Sequence, residues 1–171
     1  MTEANTITAE KIVQTHTWYA AGVGLVPVPV FDMAALTAVN LRMVHELSKA
    51  HGVEFKEDRV KAALASLAAG LGAGLLAQNA VATGVLRFIP LVGQTIATVR
   101  MSLFGAAFTY AVGSVFTRHF ATGGTLLDFD AAKTKQYFSE QFEKGKQRFR
   151  RTPPVAPESA AAAAEPTPAT A

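Results

Sequence analysis

The sequence contains no cysteine among its 171 residues. This excludes disulfides, thiolate zinc sites and cysteine nucleophiles, and it gives no reason to place the chain in an oxidising compartment. The first eleven residues, MTEANTITAEK, have no basic cluster that leads into an apolar segment and no small-residue cleavage pattern. We therefore expect no signal peptide.

Motifs for catalysis and for cofactor binding are also missing. The run AAGLGAGLL has no GK[ST] after it and no strand before it, so it is not a phosphate-binding loop, and no GxSxG nucleophile signature occurs. The four histidines, at positions 16, 45, 51 and 119, form no HExxH or His-x3-His pair. We expect a protein that is not an enzyme, without a cofactor or metal, whose histidines are structural.

Charge is scarce in the second third of the chain. Between Ala62 and Thr117 only Arg87 and Arg100 are charged, whereas an average domain carries about 25% charged residues. So few polar groups cannot cover a surface that faces water, and we expect lipid, a partner or an oligomer interface to cover it.

The longest uncharged stretch runs from Ala62 to Leu86. It exceeds the roughly 20 residues that an α-helix needs to cross a bilayer, so the pattern predicts a transmembrane helix. Gly70 and Gly74 have the small-xxx-small spacing that allows two membrane helices to pack closely.

Two apolar segments with prolines interrupt the helical pattern. One is Gly22 to Asp32, with Pro27 and Pro29, and the other is Phe88 to Gln94, with Pro90 and Gly93. Proline removes a backbone donor and disfavours helix in the residue before it, so each segment should turn the chain. The predicted fold is all-α, with two proline-tipped, membrane-associated helical hairpins and a C-terminal amphipathic basic helix.

Capping residues place the helix ends. Thr8 should cap a first helix of about 15 residues, and Asp32 a second helix that closes at Gly52 in a left-handed conformation. Glu57 falls in the first turn of the third helix, and the last apolar helix covers 95–117.

These ends divide the chain into four parts. Residues 1–7 are predicted to be a disordered N-terminus, 8–120 a helical membrane-type domain, and 121–151 the amphipathic basic helix. Residues 152–171, rich in Pro and Ala, cannot form a core and are predicted to be a disordered tail.

Two opposite charges lie in the apolar segments. Asp32 is an acid beside the first proline tip, and Arg100 lies within the last apolar helix. An arginine inside a membrane costs roughly 2.5 to 3.5 kcal/mol on insertion scales, which suggests that the two side chains pair. The alternatives are a helix cap at Asp32 and a snorkelling Arg100.

The last helix carries an aromatic stripe and a basic end. One face of the helix carries Phe138, Phe142, Gly145 and Phe149. Five basic residues are concentrated near its C-terminal end, namely Lys144, Lys146, Arg148, Arg150 and Arg151. Such a helix can lie on an anionic membrane, or it can be a solvated helix held by its phenylalanines. No nucleic-acid-binding motif accompanies the charge, so nucleic acid is not an expected partner.

Trp18 and Tyr19 allow a similar choice between two environments. Both rings suit a membrane-water interface, and both suit an ordinary core pair.

If the apolar hairpin spans the bilayer, the basic excess places the C-terminus on the cytoplasmic side.

The segments AAGVGLVPVPVFDMAALTAVNLRMVHELSKAHGVEF, FIPLVGQ and FGAAFTYAVGSVFTRHF resemble the bacterial YcjF-type membrane domain, domain-of-unknown-function family 697. The likeness covers about 16–120 and is most specific at PxPxxD, HGVEF and IPxxG. The resemblance implies a membrane-anchoring partner for an Era-like GTPase. Any nucleotide chemistry would belong to that other protein, because this chain has no phosphate-binding loop.

The leading interpretation is a helical, non-enzymatic protein of the bacterial inner membrane that acts as an anchor or partner, for example of a cytoplasmic GTPase, and that can form homo-oligomers. A first alternative is a soluble or amphitropic bundle with an insertable apolar hairpin that interacts with lipid or forms pores. A second is a small oligomeric transport element that uses Asp32, Asn40 and Arg100 inside the membrane.

Overall fold

A computed structural model describes the backbone of residues 3–23, 29–86 and 90–151, and the side chains of residues 5–22, 34–71 and 102–151. These described residues form five helices, which are α1 (Glu3–Val23), α2 (Pro29–His51), α3 (Glu57–Leu86), α4 (Pro90–Ala121) and α5 (Ala131–Arg151). No strand occurs in these ranges. The all-α prediction is confirmed.

Three helices begin earlier than the sequence predicted. Helix α1 already begins at Glu3, so Thr8 is not its cap. Helix α2 begins at Pro29, which places Asp32 inside the helix instead of at its cap, and α4 begins at Pro90 instead of at residue 95. Proline suits the first helical position because its φ is preset and the missing N–H has no helical acceptor there.

The glycine at the end of α2 has the predicted conformation. Gly52 has a φ of 68°, in the left-handed region. The N–H of Val53 donates to the carbonyl of Ser48 (2.8 Å) and that of Gly52 to the carbonyl of Lys49 (3.3 Å). This pair of hydrogen bonds is the Schellman motif, which ends a helix by satisfying its last carbonyls.

Helix α5 begins at Ala131, inside the predicted segment 121–151. The carboxylate of Asp130 accepts hydrogen bonds from the backbone N–H groups of Ala132 (2.9 Å) and Lys133 (3.4 Å), so Asp130 is the cap. Asp128 instead accepts from Thr125 within the connecting loop.

Helix α4 lies at the centre of the described bundle, between α1, α2 and α5, while the first half of α3 packs against α2 and α5. Val13 and Ala20 of α1 lie beside Gly113 and Gly105 of α4, so these two helices are antiparallel. Helix α5 is also antiparallel to α4. The C-terminal ends of α1 and α5 therefore lie at the same end of the bundle.

The structure corrects the expected cover of one apolar segment. The sequence suggested that lipid, a partner or an oligomer covers 62–117, but residues 102–117 are surrounded by α1, α2 and α5 of the same chain. Small residues allow this close packing, since a Cβ on Gly113 would lie 2.6 Å from Val13 Cγ2.

Within the residues that the structure describes, none of the helices has the combination of length and apolar content that is needed to cross a bilayer. The side chains of 72–86, which form most of the predicted span, lie outside the described residues.

Candidate functional site

The aromatic stripe of α5 packs inside the bundle. Phe138, Phe142 and Phe149 are buried, and Gly145 lies against Ala107 of α4. Phe142 meets the ring of Phe104 at a centroid distance of 5.6 Å. Of the two environments considered for α5, the structure shows the helix held by its phenylalanines, so this stripe does not face lipid.

The basic residues occupy the two flanks of that buried stripe. At 100° per residue, Lys144, Arg148 and Arg151 follow one flank, and Lys146 with Arg150 follows the other. We call these five residues the basic end of α5. A charged group on the flank of a buried stripe can keep its stem on apolar surface while its head stays in water or among headgroups.

Most of the basic end has no ionic partner. Lys146 forms an ion pair with Glu143 at 2.8 Å, but none of the other four lies within 4.0 Å of a carboxylate among the described residues. The Arg148 guanidinium lies 5.9 Å from the ring centroid of Tyr110. Positive charge at this end of the bundle is therefore available to an external anion.

Trp18 and Tyr19 lie at the same end of the bundle. They are 37% and 57% exposed, so they do not form a core pair. The Trp18 ring packs edge-on against Phe149 of α5 at 5.6 Å, and Tyr19 meets His16 in the same geometry at 5.9 Å. The fold thus brings two exposed aromatic rings beside the basic end of α5.

The residues of the proline tips fall largely outside the described part. Pro27 lies outside it, Pro29 and Pro90 are the first residues of α2 and α4, and Gly93 is in the first turn of α4. The side chains of Asp32 and Arg100 lie outside the described residues, so their pairing stays a prediction.

Gly70 faces α5. A Cβ on it would lie 3.8 Å from Lys135, an ordinary distance, so this position has room for a side chain. The side chain position of Gly74 lies outside the described residues, and close packing of a membrane helix at this pair stays a prediction.

A buried polar pair joins α2 to α4. Asn40 donates to the carbonyl of Leu36 (2.8 Å) and to the hydroxyl of Thr109 (3.2 Å), while its Oδ1 has no partner among the described residues. Asn40 lies next to Leu36 and Met43 on an otherwise apolar face. Asn40, one of the three residues of the transport hypothesis, therefore lies inside the bundle core.

Each histidine contacts a backbone carbonyl or an aromatic ring of its own chain. His16 and His51 have a ring nitrogen 2.9 Å from the carbonyls of Ile12 and Leu47, and His45 packs on Phe55 at 4.6 Å. His119 lies 2.8 Å from the carbonyl of Thr125. In the described side chains no three acidic or histidine residues lie close enough together to hold a metal ion.

The structure has a cavity of about 750 Å³ between the first half of α3 and the loop before α5. Leu127, 59% exposed, lies at its edge. Asp128 also lines it, and hydrogen bonds from the hydroxyl and the N–H of Thr125 lower the pKa of this carboxyl.

A second cavity, of about 420 Å³, lies between α1 and α5 with α4 as its floor. We call it the α1–α5 groove. Arg118 and Arg148 lie at its two ends, Gln141 between them, and Trp18 and Phe149 at the end near the basic residues. Sequence reasoning missed Arg118 and Gln141 because the groove joins three helices that are distant in the chain.

Comparisons with known proteins give a family. The family model described as Domain of unknown function (DUF697) matches residues 2–147. The chain is 38% identical over 143 residues to a protein named Magnetosome membrane protein 22 from Magnetospirillum gryphiswaldense, an alignment that covers 82% of this chain and 71% of that protein. No solved structure matches the chain. With most of its length matched by the family model, this chain belongs to the DUF697 family.

Proposed function

We propose that this chain is a non-enzymatic, membrane-associated helical protein that meets the lipid surface with the end of the bundle formed by Trp18, Tyr19 and the basic end of α5. The observation that carries the proposal is this juxtaposition. Unpaired cations attract anionic headgroups, and tryptophan and tyrosine favour the interface because each ring has an apolar body and a polar tip.

The family relative supports a membrane location. Its name describes a magnetosome membrane protein, and the alignment covers most of both chains. Ser102 of α4 donates to the carbonyl of Ala21 near the end of α1 (2.7 Å), so the start of α4 extends toward the same end of the bundle as Trp18. The proposed insertion of residues 72–101 into lipid would therefore bring headgroups to this surface.

Two further questions are which face of the membrane α5 meets and which protein it binds. We propose the bacterial inner membrane with α5 on its cytoplasmic face, as the basic excess of the C-terminal region favours. The family resemblance adds an Era-like GTPase as the cytoplasmic partner. In that case the partner's nucleotide would control association, through a difference in affinity between its two nucleotide states.

Membrane fractionation tests the location. The full chain should remain in the membrane fraction after high-salt and carbonate washes if 72–101 is inserted. Release by salt alone would contradict insertion.

A pull-down tests the proposed GTPase partner. A detergent extract is passed over the immobilised chain with a non-hydrolysable GTP analogue or with GDP, and recovery of a GTPase in only one nucleotide state is the expected result.

The amphitropic alternative has one observation in its favour. Residues 102–117 are covered by the chain's own helices. At least this part of the apolar segment 62–117 therefore needs no lipid to cover it. In this case the hairpin inserts only on contact with lipid. Dye release from anionic vesicles, absent with zwitterionic vesicles, would support this alternative over a permanent anchor.

A further inference from the structure

We infer that the α1–α5 groove is a binding site for a phosphate ester carried on a small polyol, such as the glycerol phosphate of a lipid headgroup. This goes beyond the proposed membrane role, because it assigns a defined small-molecule site to one groove. Its basis is the juxtaposition of two guanidinium groups with a buried hydroxyl that lacks a partner and with the side chain of Gln141.

The cations of the groove are held in place by aromatic rings. The Arg118 guanidinium lies 4.5 Å from the ring centroid of Tyr137, and that of Arg148 lies 5.9 Å from Tyr110. Tyr137 and Arg148 are eleven residues apart on α5, about 16 Å along the helix, so the two cations mark opposite ends of the groove. Stacking on tyrosine leaves the N–H groups of arginine free for an anion.

Charge in the groove favours an anion. Glu10 lines it together with the two arginines, so two positive groups face one negative group. Neither arginine lies within 4.0 Å of a carboxylate among the described residues. Phosphate is the expected anion, because arginine binds it through two parallel hydrogen bonds.

The middle of the groove contains a buried hydroxyl without a partner. The hydroxyl oxygen of Thr117 is buried and lacks a hydrogen-bond partner among the described residues. Gln141, which is only 6% exposed, lines the groove beside it. Buried polar groups are normally hydrogen-bonded, since leaving one unsatisfied costs about 1–3 kcal/mol. A hydroxyl group of a polyol would supply the missing partner.

The size and position of the groove fit a headgroup. Its volume of about 420 Å³ lies in the range typical of small-molecule sites and is too small for a folded partner. The end that holds Arg148 and Trp18 adjoins the basic end of α5. A phosphate ester could enter there from a lipid surface or from solution.

The test uses Trp18, the single tryptophan of the chain, as the reporter. The full-length protein, in a nonionic detergent, is titrated with sn-glycerol 3-phosphate and, separately, with mixed micelles that contain phosphatidylglycerol. Phosphatidylcholine micelles are the zwitterionic reference. Saturation with both anionic probes assigns a general phosphate ester, and saturation with phosphatidylglycerol alone assigns a lipid headgroup.

Matched variants separate the groove from the general positive charge. With sn-glycerol 3-phosphate as the probe, Arg148→Gln should weaken the apparent Kd at least tenfold, and Arg150→Gln, which removes the same charge outside the groove, should change it less than twofold. Gln141→Leu, an apolar replacement suited to a buried site, should weaken binding at least fivefold and provides a second test if Arg148→Gln does not fold.

Three results would overturn the inference. They are no saturable change with either anionic probe, an equal response to phosphatidylcholine, and equal weakening by Arg148→Gln and Arg150→Gln. Micelles and a soluble ester need no insertion into a membrane. The result of this binding titration is therefore independent of the membrane fractionation, which tests the proposed membrane role.

Discussion

The indole ring of Trp18 packs edge-on against Phe149, with 5.6 Å between the ring centroids. One residue belongs to the end of α1 and the other to the end of α5, and Phe149 is buried against Ala21 and Ala106. This contact fixes the basic end of α5 beside the exposed aromatic rings of α1. The proposed lipid surface therefore depends on a packing contact inside the protein.

Replacing Phe149 by alanine should separate the basic end of α5 from the exposed aromatic rings of α1. We expect the free energy of unfolding to fall by about 3–5 kcal/mol, the usual cost of removing a buried phenylalanine, and the emission of Trp18 to shift to longer wavelength. Denaturant titration and fluorescence measure both effects. Tyr19→Ala, at an exposed neighbour, should change neither, and an unshifted emission in Phe149→Ala would contradict the contact.

A second prediction concerns the close approach of α5 to α4. A Cβ on Gly145 would lie 3.0 Å from the Cα of Ala107, which is backbone and cannot move aside easily. Gly145→Leu should therefore lower the free energy of unfolding by about 1–3 kcal/mol through overpacking.

The control for this variant is Gly70→Ala. Its Cβ has space beside Lys135, so the gain in helix propensity should raise the stability by up to about 1 kcal/mol. Equal destabilisation of both variants in urea denaturation would show that α5 does not pack on α4 through Gly145.

A pH dependence is expected from Asp128. Hydrogen bonds from the hydroxyl and then the N–H of Thr125 lower the pKa of this carboxyl, with a smaller contribution from His119. A carboxyl whose pKa is lower in the folded state stabilises the fold fully above its unfolded pKa, and this stabilisation is lost as the pH falls through the folded pKa.

The stability difference between the wild-type chain and Asp128→Asn should thus be largest near pH 7 and shrink as the pH falls below about 4. Urea denaturation at several pH values measures it. Thr125→Val removes the strongest donor and should reduce the same pH dependence. A difference that grows toward acid pH would be incompatible with this assignment.

Some of this molecule could be predicted from local sequence, and some could not. Gly52 was predictable because a left-handed residue after an amphipathic helix strongly favours glycine. Pro29 and Pro90 misled, since proline suits a turn and also the first position of a helix. The segment 102–117 reads as lipid-facing because nothing in its own residues shows that α1, α2 and α5 will cover it.

The α1–α5 groove could not be predicted for a similar reason. Arg118 and Gln141 look like an ordinary helix-end cation and an ordinary polar residue in the sequence. Only the antiparallel packing of α1 and α5 on α4 brings them to one groove. In contrast, the basic end of α5 was visible in the sequence because its residues are neighbours in the chain.

Binding to vesicles compares two double variants with the same change of charge. Arg150→Gln with Arg151→Gln removes two cations from the basic end, and Lys133→Gln with Lys135→Gln removes two from the first turns of α5. The pairs lie about 25 Å apart along the helix, well beyond the screening length of about 8 Å in physiological salt.

Co-sedimentation with phosphatidylglycerol-containing vesicles at this salt concentration is the most direct test of the lipid-facing end. At about 1 kcal/mol for each basic residue near an anionic surface, the account predicts roughly 30-fold weaker binding for the Arg150 and Arg151 variant and a less than twofold change for the Lys133 and Lys135 variant. Equal weakening of the two variants, or no weakening in either, would contradict it.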